Sequence, residues 1–155
     1  IEAAAARLGR RMPASRTAVA VLPGAGIADN EAPAIEATRA AGIELPAGTL
    51  ARLVRLYADA APAIVGLMAA QPELAAPLGA GSDAVGAEVL HVVRHEMAVR
   101  LADIVVRRTS LGAAGRPPDD VLAACARLAA AELQWTPGRI AEERALVERV
   151  YAVEG

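Results

Sequence analysis

The chain has no lysine and no phenylalanine, a single cysteine, and only three aromatic side chains, Tyr57, Trp135 and Tyr151. One cysteine, Cys125, cannot close an internal disulfide, which fits an intracellular setting. Sparse aromatic and β-branched residues leave little from which to build a sheet. Sixteen basic residues, all arginine, face eighteen acidic ones. The resulting charge of −2 and pI near 5.7 leave no electrostatic footprint for nucleic acid or an anionic membrane. No uninterrupted apolar run approaches the roughly 20 residues that cross a bilayer. What the chain has in excess is alanine, the best helix former, which dominates a hydrophobic fraction of 55%. At 155 residues it is long enough to bury a core as one domain.

Periodicity turns this bias into an all-α expectation: five or six short helices behind an irregular N-terminal lead. Glu2 to Arg11 is a helical run closed by Pro13, Thr17 to Leu22 is extended in character, and a helix over Asn30 to Ala41 ends at Gly42. Leu50, Leu53, Val54 and Tyr57 then fall at i, i+3, i+4 and i+7, the first strong apolar stripe. Ile64, Leu67 and Met68 mark a second helix, Val85, Val89, Val92 and Val93 a third, and Leu101, Ile104 and Val105 a shorter one. Pro117-Pro118-Asp119-Asp120 starts another, with proline and acids where the first turn wants them. Thr136-Pro137 starts the last as cap and first-turn proline, with Ile140, Val147, Val150 and Tyr151 facing inward.

Catalytic patterns are scarce. Gly24-Ala25-Gly26 between an extended run and a helix mimics a dinucleotide fingerprint, but Asp29 stands where the third glycine belongs and would repel a pyrophosphate. His91 and His95 lie one helical turn apart, yet Glu96 follows the pair instead of dividing it, and Arg94 opposes a cation; no metal site is expected. Cys125 reads as a small hydrophobe, and Trp135 as the plug of the corner between the last two helices.

Charges on apolar phase are more informative. Extending Val89, Val92 and Val93 reaches Glu96, Glu88 steps along the edge of the same stripe, and extending Leu101, Ile104 and Val105 reaches Arg108. Glu96 and Arg108 are therefore expected to be partly buried and in need of partners. They would lie about 18 Å apart along one straight helix, so the helix breaks between them or each pairs elsewhere. Glu88, Glu96 and Glu132 are the carboxylates within reach of Arg108, and truncating Arg108 is expected to cost far more than truncating Arg107. Arg107 belongs to a solvated ladder with Arg100 and Asp103. Glu88, Glu96, Arg107 and Arg108 are thus candidates for structural or interdomain ion pairs.

The run Ala87-Glu88-Val89, His95-Glu96-Met97-Ala98, Asp103 and Arg107-Arg108-Thr109 resembles the "AEV…HEMA…D…RRT" region in the C-terminal domain of FAD-dependent glycerol-3-phosphate dehydrogenases. Ala131-Glu132-Leu133-Gln134-Trp135-Thr136 is similar to that family's "AELGW" turn, and Leu22-Pro23-Gly24-Ala25 to its "LPGA" linker. The pieces occur in the family's order. Two places depart from it: the usual "YG" after the first strong helix is Tyr57-Ala58, and Asn30 to Ala41 matches weakly.

The resemblance implies a parent enzyme that oxidises glycerol 3-phosphate to dihydroxyacetone phosphate, passing electrons through FAD to a quinone. The flavin, catalytic and phosphate-binding residues would lie in a preceding flavin-binding domain of the same chain, the partner of this one. Residues 1–45 would then be the tail of a flavin-domain helix plus linker, and 46–155 a helical cap without catalytic, cofactor or metal residues of its own. The opening Ile1-Glu2-Ala3, without Met or signal peptide, reads as a piece of a larger, cytoplasmic protein, any peripheral attachment to the inner membrane coming through the parent. The competing expectation is a self-standing helical interaction or regulatory module.

Overall fold

The computed structural model describes residues 2–11, 13, 15–22, 25, 31–46 and 48–152. Among the described residues, seven α-helices follow in order: α1 (Glu2–Arg7), α2 (Glu31–Ala41), α3 (Thr49–Tyr57), α4 (Ala61–Ala70), α5 (Gly86–His95), α6 (Asp119–Leu133) and α7 (Pro137–Tyr151). A π-helical turn, Asp103–Arg108, lies between α5 and α6. No strand occurs among the described residues, and a lone bridge joins Pro77 to Val85. Residues 17–19 form a turn in which Val19 and Ala20 donate to the Arg16 carbonyl, so the extended character expected there is not realised. Of the dinucleotide mimic, Gly24, Gly26 and Asp29 lie outside the described residues.

The helix starts follow their local chemistry. Thr136 accepts the Arg139 amide in its side chain and Pro137 occupies the first turn of α7. Asp119 and Asp120 sit at the positive end of α6. Gln134, at φ 56°, ends α6 in the left-handed conformation that commonly terminates helices, and the chain turns through Trp135 into α7.

Two apolar clusters share α5. On one side Leu53, Val54, Ile64 and Met68 of α3 and α4 pack with Val85, Ala87 and Leu90. On the other, Val89 and Val92 meet Ile104 and Val105 of the π-turn and Leu101 just before it, Leu122, Cys125 and Ala129 of α6, and Val147 of α7. Every residue from Ala84 to Val92 is buried, which is why this stretch is apolar around most of its circumference rather than along one stripe. Val150, expected inward, is exposed at the end of α7.

Residues 49–70 form 22 nearly continuous helical positions with mean hydropathy 1.4, long and apolar enough by length and composition to cross a membrane. Arg52, Arg55 and Asp59 interrupt it, so it is not an uninterrupted apolar run. Here the segment bends at Ala58 and buries Leu53, Ile64, Val65 and Met68 within the protein.

The bend falls on the departure at Tyr57-Ala58. Ala58 adopts φ 46°, ψ −118°, a conformation open to glycine but strained for a residue with a Cβ. Ala58→Gly should therefore raise the stability of the chain by about 1 kcal/mol in urea melts, the relief of strain outweighing the added freedom of the unfolded chain. An unchanged or lower midpoint would mean that the bend stores no strain.

Candidate functional site

The most concentrated polar chemistry in this fold is buried where α3 meets α5. Glu88, on the first turn of α5, is 1% exposed and accepts four donors. Arg52 Nη1 reaches its Oε2 at 3.0 Å while Nη2 pairs with Oε1. The Tyr57 hydroxyl donates to Oε2 at 2.9 Å, and the Val85 amide donates to Oε1 at 2.9 Å. Glu88 thus caps its own helix and clamps α3 in the same act. The Arg52 side chain is 6% exposed; its Nε makes no hydrogen bond and lies 3.5 Å from the exposed Asp83. Burial, reinforced by the charge of Glu88, pushes the Tyr57 hydroxyl far above the ordinary phenol range, so it remains a donor.

His91, one turn further along α5, extends the cluster. Its ring meets Tyr57 edge-on with centroids 5.7 Å apart and lies 5.1 Å from the ring of His95. Nε2 is 3.6 Å from Glu96 Oε1, and the buried Nδ1 has no hydrogen-bond partner among the described residues. Burial lowers the pKa of His91 below its ordinary value, Glu96 opposing and His95 adding to the shift. No three His, Cys, Asp or Glu side chains among the described residues gather into a metal-ligating group. Cys125 is buried, and burial together with the charge of Glu88 pushes its thiol up to about 12, well away from a reactive thiolate.

A second buried carboxylate, Glu143 of α7, is fully enclosed. Its Oε2 accepts the Leu101 amide at 2.9 Å, and Arg139 Nη2 lies 2.6 Å from Oε1 as an ion pair. It caps the helical stretch that runs into the π-turn. Asp103 completes that cap, accepting the amides of Val99 and Arg100, and holds Arg107 Nη1 at 2.9 Å.

The sequence-selected residues fall in different places. Glu88 sits at the centre of the buried cluster, paired with Arg52 and not with Arg108. Glu96 is one-third exposed beside His91, because α5 ends at His95 and Glu96 already leaves helical geometry. Glu132 forms a fork-to-fork pair with Arg94 at the surface. Arg107 stands in its i, i+4 pair with Asp103. Trp135 is half-buried and packs against the α5–α6–α7 cluster.

Arg108 corrects its expectation: it is exposed, and no ion pair or hydrogen bond engages its side chain among the described residues. The cause is the π-turn. Thr109 donates its amide to Ile104 at 3.1 Å, five residues back, and a turn of that width rotates less per residue than an α-helix. Over seven residues from Leu101 the accumulated lag carries Arg108 off the apolar line. The sequence reading missed Arg52, Tyr57 as a donor, and Glu143. Glu143 was accessible, since Ile140, Glu143 and Val147 follow the same i, i+3, i+7 phase used for Glu96. Arg52 had no such signal, because it lies beside the α3 stripe and only the packing of α3 on α5 buries it.

A family model for the C-terminal domain of alpha-glycerophosphate oxidase matches residues 15–140, most of the chain. The chain belongs to this family. Membership places it among the C-terminal helical domains of FAD-dependent oxidoreductases, a domain that follows a larger catalytic part. No curated protein and no solved structure matches the chain.

Two outcomes test this site. Glu88→Gln strands a buried guanidinium, so it should cost about 3–5 kcal/mol in urea melts, whereas Arg107→Ala and Arg108→Ala should each stay within about 0.5 kcal/mol. A loss at Arg108 as large as that at Glu88 would contradict the arrangement. The second concerns acid. His91 takes up its proton near 6.5 when unfolded but at lower pH when folded, so the unfolded state binds more protons and stability falls as pH drops below 6.5. His91→Leu should flatten that part of the pH profile; an unaltered slope would show that His91 does not set it.

Proposed function

We propose that this chain is the non-catalytic, C-terminal helical cap of an FAD-dependent glycerol-3-phosphate dehydrogenase, whose parent enzyme oxidises glycerol 3-phosphate to dihydroxyacetone phosphate. The family match over residues 15–140 is the observation that supports it. The ordered motifs from Ala87 to Thr109 and from Ala131 to Thr136 add to it, because they point to the glycerol-3-phosphate branch of flavin enzymes. In this reading the flavin-binding domain that precedes the cap supplies FAD, the catalytic groups and the substrate site.

The residues of this chain do not fit a flavin. Dinucleotide cradles place the pyrophosphate at a helix N-terminus that follows a strand, and the described residues contain no strand. The two buried carboxylates are committed within the chain, Glu88 to Arg52 and Tyr57, and Glu143 to the Leu101 amide and, as an ion pair, to Arg139. Their contribution is positional, holding the helices in one arrangement that can be presented to the preceding domain.

The purified chain should therefore be colourless, bind no added FAD by calorimetry, and show no dye reduction with glycerol 3-phosphate. A stoichiometric flavin spectrum after purification would overturn the reading. The coding sequence upstream of Ile1 offers an independent check, since it should encode a G-x-G-x-x-G strand–turn–helix unit.

A further inference from the structure

The pairing of Arg52 with Glu88 leaves one donor over. Arg52 Nε is buried and makes no hydrogen bond among the described residues, although buried polar groups are nearly always paired. The carboxylate in front of it belongs to Asp83, which is 80% exposed and stands 3.5 Å away without closing a bond. The loop that carries Asp83 is pinned on both sides. Ser82 donates its amide to the Gly79 carbonyl, Ala84 donates its amide to the Ser82 hydroxyl, and Leu78 donates to the Ala84 carbonyl. Asp83 thus covers the donor without satisfying it. Arg52 and Asp83 belong to the wall of an open recess of about 510 Å³, completed by Gly48, Thr49, Ala51 and Arg55. Thr49 is only 5% exposed; its amide is engaged by the Pro46 carbonyl at 3.0 Å, and its hydroxyl makes no hydrogen bond among the described residues. Gly48 brings no side chain to cap α3, so the positive end of that helix opens on the same space. Arg55 is exposed and has no ion pair among the described residues.

Two side chains more than nine-tenths buried, each with a donor unused, therefore meet an uncapped helix end and a free guanidinium in one recess. Charge decides what they can hold. Glu88 already neutralises Arg52, so Arg55 alone supplies an uncommitted positive charge, and Asp83 opposes a second negative one. A planar group with one negative charge and two acceptor oxygens answers that set, and a dianion does not. The recess has room for a body of several carbons beyond such a group, bordered by the Ala51 methyl and the aliphatic stems of the arginines. We propose that this recess binds a small monocarboxylate, its oxygens met by Arg52 Nε, the Thr49 hydroxyl and Arg55, with Asp83 turned out to solvent. In the unliganded chain Asp83 holds the place of the guest and competes with it. The proposal does not depend on the flavoenzyme reading, because the site is complete within this chain.

The test is a titration of the isotope-labelled chain with sodium propionate at constant ionic strength, followed by amide and arginine Nε NMR signals. Saturable shifts should appear at Thr49, Arg52 Nε and Asp83. Asp83→Ala removes the competitor and should tighten propionate by about tenfold, whereas Arg55→Gln removes a charge-assisted contact and should weaken it by about as much. Thr49→Val should weaken it less and leave the melting temperature unchanged or higher, because that hydroxyl has no partner to lose in the unliganded chain. Asp83 and Arg55 are exposed, so their variants should melt as the parent chain does, which separates a change in binding from loss of fold. Arg149→Gln, an exposed arginine on α7, should change nothing. Shifts that never saturate, binding no tighter in Asp83→Ala, or inorganic phosphate saturating these signals at lower concentration than propionate would each overturn the proposal, as would an equal loss with Arg149→Gln and Arg55→Gln.

Discussion

The contact between Arg52 and Glu88 joins residues 36 apart in the chain, and almost no water reaches it. Two charges taken out of water are tolerable only when each finds good geometry, and here both carboxylate oxygens are met twice. An apolar pair of the same size would pack equally well, but it would also permit α3 to slide along α5. A guanidinium fork on a carboxylate admits one register, and Tyr57 at the end of α3 repeats the same constraint one turn away. The site is therefore better understood as a positional lock than as a reactive centre: Arg52 and Tyr57 keep their protons, and the Cys125 thiol nearby stays protonated.

Much of the fold was legible because alanine-rich helices with regular punctuation leave few alternatives. The stripe of Leu50, Leu53, Val54 and Tyr57 became α3, Pro117-Pro118-Asp119 opened α6, and Thr136-Pro137 opened α7, each through a mechanism local to a few residues. The polar cluster was legible only in half. Glu88 stood out as a carboxylate in an apolar run, but its partner lies two helices earlier, and helical phase within one segment says nothing about another. The assignment of Arg108 failed for a different reason. Periodicity assumes a constant angle per residue, and nothing in Asp103-Ile104-Val105-Val106-Arg107-Arg108 announces that the turn widens. The family resemblance carried information there that phase did not, since it singled out Arg107, Arg108 and Thr109 without assigning them a direction.

Around that turn the packing is unusually tight. Gly112 donates its amide to Val105 and accepts the Tyr151 hydroxyl on its carbonyl. A Cβ added there would come within 2.0 Å of the Tyr151 oxygen and 2.7 Å of the Val105 carbonyl. The end of α7 is thereby fastened to the exit of the π-turn, with Glu143 holding the entry from the same helix. A wide turn has a poorer axial fit than an α-helix and needs such external restraint to persist.

The helix shared by both apolar clusters has one more consequence. Neither half of the molecule owns a complete core: the α3–α4 side and the α6–α7 side each present a concave apolar face whose other wall is α5. Taken separately, each half would be a few dozen residues with too little interior to offset its chain entropy. The two halves are therefore coupled through a single element, and the loss of α5 from one is its loss from both. Such a domain melts as one unit, and an evolutionary change that loosened α5 could not be confined to the side on which it arose.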